Sequence, residues 1–176
     1  MLQYANTLSI VEKTKTLNQL KKLWELHCLC ASMNPHRDLQ VVFIYGKTGT
    51  GKTTYAKKLL EGLNYDYTIS SSSNDPYQDY LGQNGMILDD LRDTVFSFDD
   101  FLKITDNHTQ SAVRSRFHNK VFIGKMLIIT SSIPLKYWYR EYKYSKLDDL
   151  AQLYRRITCY VEVTQQQLYV YDEGLD

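Results

Sequence analysis

Proline and glycine are scarce, three and eight among 176 residues, which excludes collagen-like and low-complexity chains. Cysteine is as rare. There are three, an odd number with no Cys-x-x-Cys pair, so neither a disulfide framework nor a zinc site is expected. No apolar run approaches the roughly 18–20 residues of a membrane-crossing helix. The opening Met1-Leu2-Gln3-Tyr4-Ala5-Asn6 lacks the charged and apolar regions of a signal peptide, so an intracellular protein is expected. Net charge is almost absent, since 21 Lys and Arg against 20 Asp and Glu leave +1. Nucleic-acid binding through bulk charge alone is thereby excluded, but a local basic patch is not. What is present is a 43% hydrophobic fraction, enough to pack one domain, or one domain with a small appendage. Tyr supplies 15 of the aromatic residues against 6 Phe and 2 Trp, an excess that by itself implies no chemistry.

Residues 1–38 read as a separable helical segment. Ser9-Ile-Val-Glu12 and Thr16-Leu-Asn-Gln19 fit the capping-box pattern. Leu17, Leu20, Trp24 and Cys28, with Leu23, Leu26 and Cys30 beside them, then form a broad apolar stripe. Pro35 ends it, because the residue before proline disfavours helix. Such a stripe serves core packing or a subunit contact. Residues 39–176 read as an α/β domain. Val41-Val42-Phe43-Ile44-Tyr45 is a continuous apolar, β-branched-rich run, the look of a strand buried on both faces. A glycine-rich turn and a helix to about Leu60 follow. Further strands fit Tyr65–Ile69, Met86–Asp89, Met126–Thr130, Thr158–Val163 and Leu168–Tyr171, the last two as a closing pair. A helix starts near Ser97, with Asp100 three residues on. Strands alternating with helices predict a mainly parallel sheet.

Gly46-Lys47-Thr48-Gly49-Thr50-Gly51-Lys52-Thr53 matches G-x-x-x-x-G-K-[ST] in full, between a buried strand and a helix. Glycines let the backbone wrap until successive N–H groups point at phosphate oxygens. The helix adds its positive end. The expected nucleotide-binding residues are Gly46, Lys47, Thr48, Gly49, Thr50, Gly51, Lys52, Thr53 and Thr54. Lys52 reaches the β- and γ-phosphates, and the Thr53 hydroxyl is a Mg²⁺ ligand. A second strand delivers Asp89-Asp90 at its carboxyl end, a Walker B pattern. Asp89 is expected to hold the metal ion through water, and Asp90 to orient or deprotonate the attacking water. The Met126–Thr130 strand ends in Ser131-Ser132, expected between the first two strands' ends and near the γ-phosphate.

These elements, in this order, resemble the superfamily 3 helicases of small replicons, and above all the ATPase domain of rolling-circle replication initiators of circovirus and bacterial-plasmid type. Tyr77-Gln-Asp-Tyr80, Phe98-Asp-Asp-Phe101-Leu102, Ile128-Ile129-Thr130-Ser131-Ser132 and Leu153-Tyr154-Arg155-Arg156-Ile157-Thr158 carry the likeness, which spans about Val41 to Val163. It implies an AAA+-like P-loop NTPase core that hydrolyses ATP with Mg²⁺ at the interfaces of a homo-oligomeric ring, commonly a hexamer, and translocates on single-stranded DNA. It implies an arginine from the neighbouring subunit, here Arg155 or Arg156. It implies a pore hairpin, matched by Arg114, Arg116, His118 and Lys120. Local charge agrees: residues 103–146 hold nine Lys or Arg against two Asp or Glu. It implies a location in a bacterial cytoplasm, or in the host nucleus for a virus.

Two departures stand out. Where the family's third motif commonly ends in Asn, this chain has Ser132. The amino-terminal nicking domain with its His-hydrophobic-His motif is absent: His27, His36, His108 and His118 are scattered. Tyr55-Ala-Lys-Lys58 mimics a nicking motif but sits in the helix after the phosphate loop. The chain therefore reads as the helicase part of a longer initiator. An RNA-directed relative, a small P-loop kinase and an ATP-gated assembly module are the alternatives.

Overall fold

The computed structural model describes residues 38–71, 75–77, 79–108, 122–140, 147–165 and 167–172, with scattered positions between 14 and 30. The chain divides into two compact units, Met1–Asn34 and Pro35–Asp176. In the first, every described position between Thr14 and Cys30 is helical, and Leu23 and Leu26 are exposed. Cys30, also of the expected stripe, is exposed. Thr16 and Gln19 of the second capping box are both helical, as are Thr14 and Lys15 ahead of them, so Thr16 is not the residue at which a helix starts. The first capping box and Leu17, Leu20, Trp24 and Cys28 lie outside the described residues.

The second unit carries β1 (Gln40–Tyr45), α1 (Lys52–Gly62), β2 (Tyr67–Ser70), β3 (Gly85–Leu88), α2 (Phe98–Ile104), β4 (Met126–Ser131), a 3₁₀ turn (Leu135–Tyr137), α3 (Leu147–Arg156), β5 (Cys159–Val163) and β6 (Leu168–Asp172). All six strands expected from the sequence are present. They form one sheet in the order β2-β3-β4-β1-β5-β6. Every pairing is parallel except β5 with β6, the closing pair. The fold is α/β, of the P-loop NTPase type.

The central strands β1, β3 and β4 are continuous apolar runs because both their faces are covered. One face packs α1: Val42 and Ile44 of β1, Ile87 of β3, Ile128 of β4 and Val161 of β5 enclose Ala56 and Leu60. The opposite face holds aromatic residues, with Phe43 against Trp138, and Trp138 against Phe101. Phe98 and Phe101 of α2 belong to this second layer. Ser97 caps α2, accepting from the Asp100 N–H at 3.2 Å, which is why the chain turns helical there. The two tyrosines of Tyr77-Gln-Asp-Tyr80 are packing residues, both buried, and Tyr80 lies against Phe122.

The helix α3 (Leu147–Arg156) lies between β4 and β5 in chain order. It is not among the expected elements, yet Leu147, Leu150, Leu153 and Tyr154 fall at the i, i+3, i+6, i+7 spacing of an amphipathic helix. Two acidic residues open it (Asp148, Asp149) and two arginines close it, in keeping with the helix dipole.

Candidate nucleotide-binding site

The sheet order puts β4 between β1 and β3, so the carboxyl ends of these three strands converge where the glycine-rich loop leaves β1. The loop is held tightly. A Cβ on Gly46 would collide with the Val163 carbonyl at the end of β5, so no other residue fits. Gly51 sits at φ +87° as the N-cap of α1, a left-handed conformation that side chains disfavour. No side chain caps α1, and its first turn holds no acidic residue. Its amide N–H groups are therefore available to an anion.

Lys52, the first residue of α1, is 8% exposed. Its Nζ donates to the carbonyls of Gly46 at 2.8 Å and Lys47 at 3.0 Å. Among the described residues it has no carboxylate partner. A nearly buried ammonium held on two carbonyls of the loop, without a carboxylate partner among the described residues, is matched to an anionic ligand.

Three hydroxyl and carboxylate groups join the loop to β3 and β4. Thr53 Oγ1 donates to Asp89 Oδ1 at 2.6 Å. Thr130 Oγ1 donates to the same oxygen at 2.8 Å and accepts from the Asp90 N–H at 2.8 Å. Asp89 is half-buried and Asp90 exposed. Asp90 is also left-handed, φ +48°, which aspartate tolerates better than most residues. The Thr53 hydroxyl and the Asp89 carboxylate are hard oxygen donors suited to Mg²⁺. Among the described residues no group of three or more His, Cys, Asp or Glu converges. A divalent ion here would take only part of its shell from the protein, the way Mg²⁺ is held when phosphates and water supply the rest.

Sequence motifs do not single out Thr130, but strand parity does. Alternate residues of a strand share a face. Ile128 and Thr130 pair in register with Val42 and Ile44, and Val42, Ile44 and Ile128 all belong to the α1 side. Thr130 therefore faces Thr53 and Asp89. Ser131 falls on the other face. Its Oγ, fully buried, donates to the Leu91 carbonyl at 2.8 Å and accepts from the Ile133 N–H at 3.1 Å. That hydroxyl is occupied in fastening the ends of β3 and β4 together, and it is Thr130 that reaches the Walker B carboxylate. Ser132 follows the strand and is half-buried.

The arginine pair at the end of α3 divides. Arg156 folds onto its own chain: one guanidinium nitrogen lies 3.8 Å from Asp106 Oδ2 and another donates to the Gln152 carbonyl at 3.0 Å. Arg155 is exposed, and among the described residues its side chain makes a long hydrogen bond, 3.3 Å, to the Ala151 carbonyl of its own helix. Neither lines the 410 Å³ cavity along the phosphate loop. The basic positions Arg114, Arg116, His118 and Lys120 lie outside the described residues.

Thr130 supports a prediction about stability. In Thr130→Val the Asp90 N–H loses its acceptor and Asp89 loses a donor. The variant is expected to lose about 1–3 kcal/mol in urea unfolding, while Thr130→Ser, which keeps the hydroxyl, stays within about 1 kcal/mol of the parent. Equal stabilities of Thr130→Val and Thr130→Ser would show that the hydroxyl does not brace the two carboxylates.

Residues 42–133, from β1 to just past β4, match the model of a family described as RNA helicase. Over 133 residues the chain is 38% identical to a replication protein of Onion yellows phytoplasma (strain OY-M), an alignment that covers 76% of this chain and 35% of that relative. The chain thus spans about a third of the relative's length.

Proposed function

This chain belongs to the RNA helicase family, and on that premise we propose that it is the ATP-hydrolysing, strand-translocating module of a replication initiator, acting on single-stranded DNA. The observation that carries the reading is the 2.6 Å hydrogen bond from Thr53 to Asp89. It joins the helix of the phosphate loop to the carboxylate after β3, with the Lys52 ammonium poised over the loop beside them.

In this reading the amides of the loop, residues Gly46 to Thr54, bind the phosphates of ATP, and Lys52 reaches the terminal two. Thr53 and Asp89 would hold Mg²⁺. The ion, when bound, neutralises charge on the phosphate oxygens. Asp90, exposed at the strand end, orients the attacking water and accepts its proton. Ser132 is the polar group left to meet the γ-phosphate, since Ser131 is engaged with Leu91. Arg155, unlike Arg156, is free to reach across to a neighbouring subunit's nucleotide, which favours a homo-oligomeric ring, hexameric in the likeness drawn above. The exposed Leu23 and Leu26 suit a subunit contact by the amino-terminal helical segment. Arg114, Arg116, His118 and Lys120 are the proposed strand-binding residues. A nicking endonuclease domain would belong to the full-length protein.

The similarity to a replication protein supports DNA as the strand. The family's own description favours a second reading, an RNA strand. Among the described residues no helix is long and apolar enough to cross a membrane, and neither reading calls for one. Steady-state ATP hydrolysis in the presence of single-stranded DNA or RNA of matched length separates them. Stimulation is expected with DNA and little or none with RNA. The reverse order would replace DNA by RNA, and no hydrolysis at all would remove the motor reading.

A further inference from the structure

Beyond the phosphate loop, the aromatic face of the sheet opens into a second cavity of about 590 Å³. Its floor follows from register. Phe43 of β1 pairs with Tyr160 of β5, and Tyr160 with Tyr171 of β6; further along β1, Tyr45 pairs with Glu162. Tyr160 stacks on Phe43 with ring planes 6° apart and centroids at 5.7 Å, and touches Tyr171 at 6.0 Å. The aromatic row therefore starts in the core and emerges at the sheet edge, where Tyr171 is 47% exposed. Tyr137 of the 3₁₀ turn and Tyr154 of α3 form the walls. Cations gather at Tyr137: the Arg140 guanidinium carbon lies 4.4 Å from its ring centroid and Lys136 Nζ 5.2 Å.

A core-filling account covers Phe43 but not the emergent rings. Five tyrosines line the cavity, which gives it both aromatic surface and phenol groups. Burial, followed by the neighbouring Glu162, holds the Tyr160 phenol far above its ordinary range, and burial raises that of Tyr154. Both are neutral, able to donate and to accept. Glu162 adds an acceptor, and Lys136 a charge for a phosphate. The cavity size suits a small planar ligand. Tyr45 and Glu162 also line the 410 Å³ cavity that runs along Gly46 to Thr50, so the two cavities share a wall at the phosphate loop.

We propose that this tyrosine-lined pocket is a nucleobase-binding site. Aromatic faces accept any base by stacking, and nearby cations hold the attached phosphate. The base has two sources of the same chemistry: the nucleotide whose phosphates occupy the loop, or a single strand passing over the edge of the sheet. The first source rests on the nucleotide reading above; the second does not.

The test is equilibrium binding of three probes to the whole chain: Mg·ATP, Mg·tripolyphosphate, which has no base, and a short oligothymidylate. The variants are Tyr137→Ala and Tyr171→Ala, both at exposed positions, with Tyr137→Phe as the ring-preserving partner. The expected result is a loss of about tenfold for one base-bearing probe, within the range of one base–aromatic stack, with tripolyphosphate unchanged and Tyr137→Phe close to the parent. Loss confined to ATP assigns the pocket to the bound nucleotide. Loss confined to the oligonucleotide assigns it to a strand. Unaltered binding of both, or an equal loss of all three, overturns the proposal. Failure of the parent chain to bind tripolyphosphate would instead defeat the phosphate-loop reading, with the oligonucleotide still deciding the pocket.

Discussion

Lys52→Ala is expected to bring ATP turnover down by at least about 10²–10³-fold, the scale of losing one preorganised charge at a reacting phosphate. The side chain is nearly buried, and its hydrogen bonds go to the Gly46 and Lys47 carbonyls of its own loop. Removing it strips no apolar core and leaves no orphaned acid. A buried cation without a counter-ion is itself unfavourable, so thermal unfolding should occur at or above the temperature of the parent. The two measurements belong together. Turnover lost with the fold intact places the lysine at the phosphates. Turnover kept near the parental rate would mean that the loop does not hold the hydrolysed nucleotide.

The second large effect separates two adjacent arginines. Consecutive residues of a helix point about 100° apart, so Arg155 and Arg156 cannot share a role. Arg156 is tied to Asp106 and to the Gln152 carbonyl. Arg156→Ala is therefore expected to lower stability modestly and turnover little. Arg155→Ala should leave stability unchanged and lower turnover by about 10³-fold or more, as for an arginine aimed at a transferring phosphoryl group. Mixing Arg155→Ala with Lys52→Ala chains should then restore part of the activity, because some interfaces pair an intact loop with an intact arginine. Activity that fails to return once mixed oligomers have been seen by native mass measurement would place the arginine within its own subunit.

Where the sequence is legible, local constraint is strong. The phosphate loop can be read because its glycines answer to steric demands: Gly46 against Val163 and Gly51 in the left-handed region. β1, β3 and β4 can be read because strands covered on both faces leave unbroken apolar runs. Two things are not legible. Thr130 is overshadowed by the two serines after it, since a polar residue at a strand's end attracts attention and one inside the strand does not. Only the pairing with β1 reveals which face it takes. The tyrosine excess has no meaning along the chain. Tyr45, Tyr137, Tyr154, Tyr160 and Tyr171 come together from five separate elements, and no local spacing announces that.

Asp90 illustrates how a fold can be kept below its own optimum. Its left-handed backbone at φ +48° is a conformation that asparagine or glycine adopts more readily, and a strained backbone of this kind costs on the order of 1–3 kcal/mol. Its side chain is exposed and contributes nothing to the core that could offset that strain. Selection for persistence alone would drift this position toward glycine, since most ways of relaxing a strained residue stabilise a protein at the expense of what it does. The carboxylate is thus a burden on the folded chain, one that the proposed role in orienting the attacking water would account for.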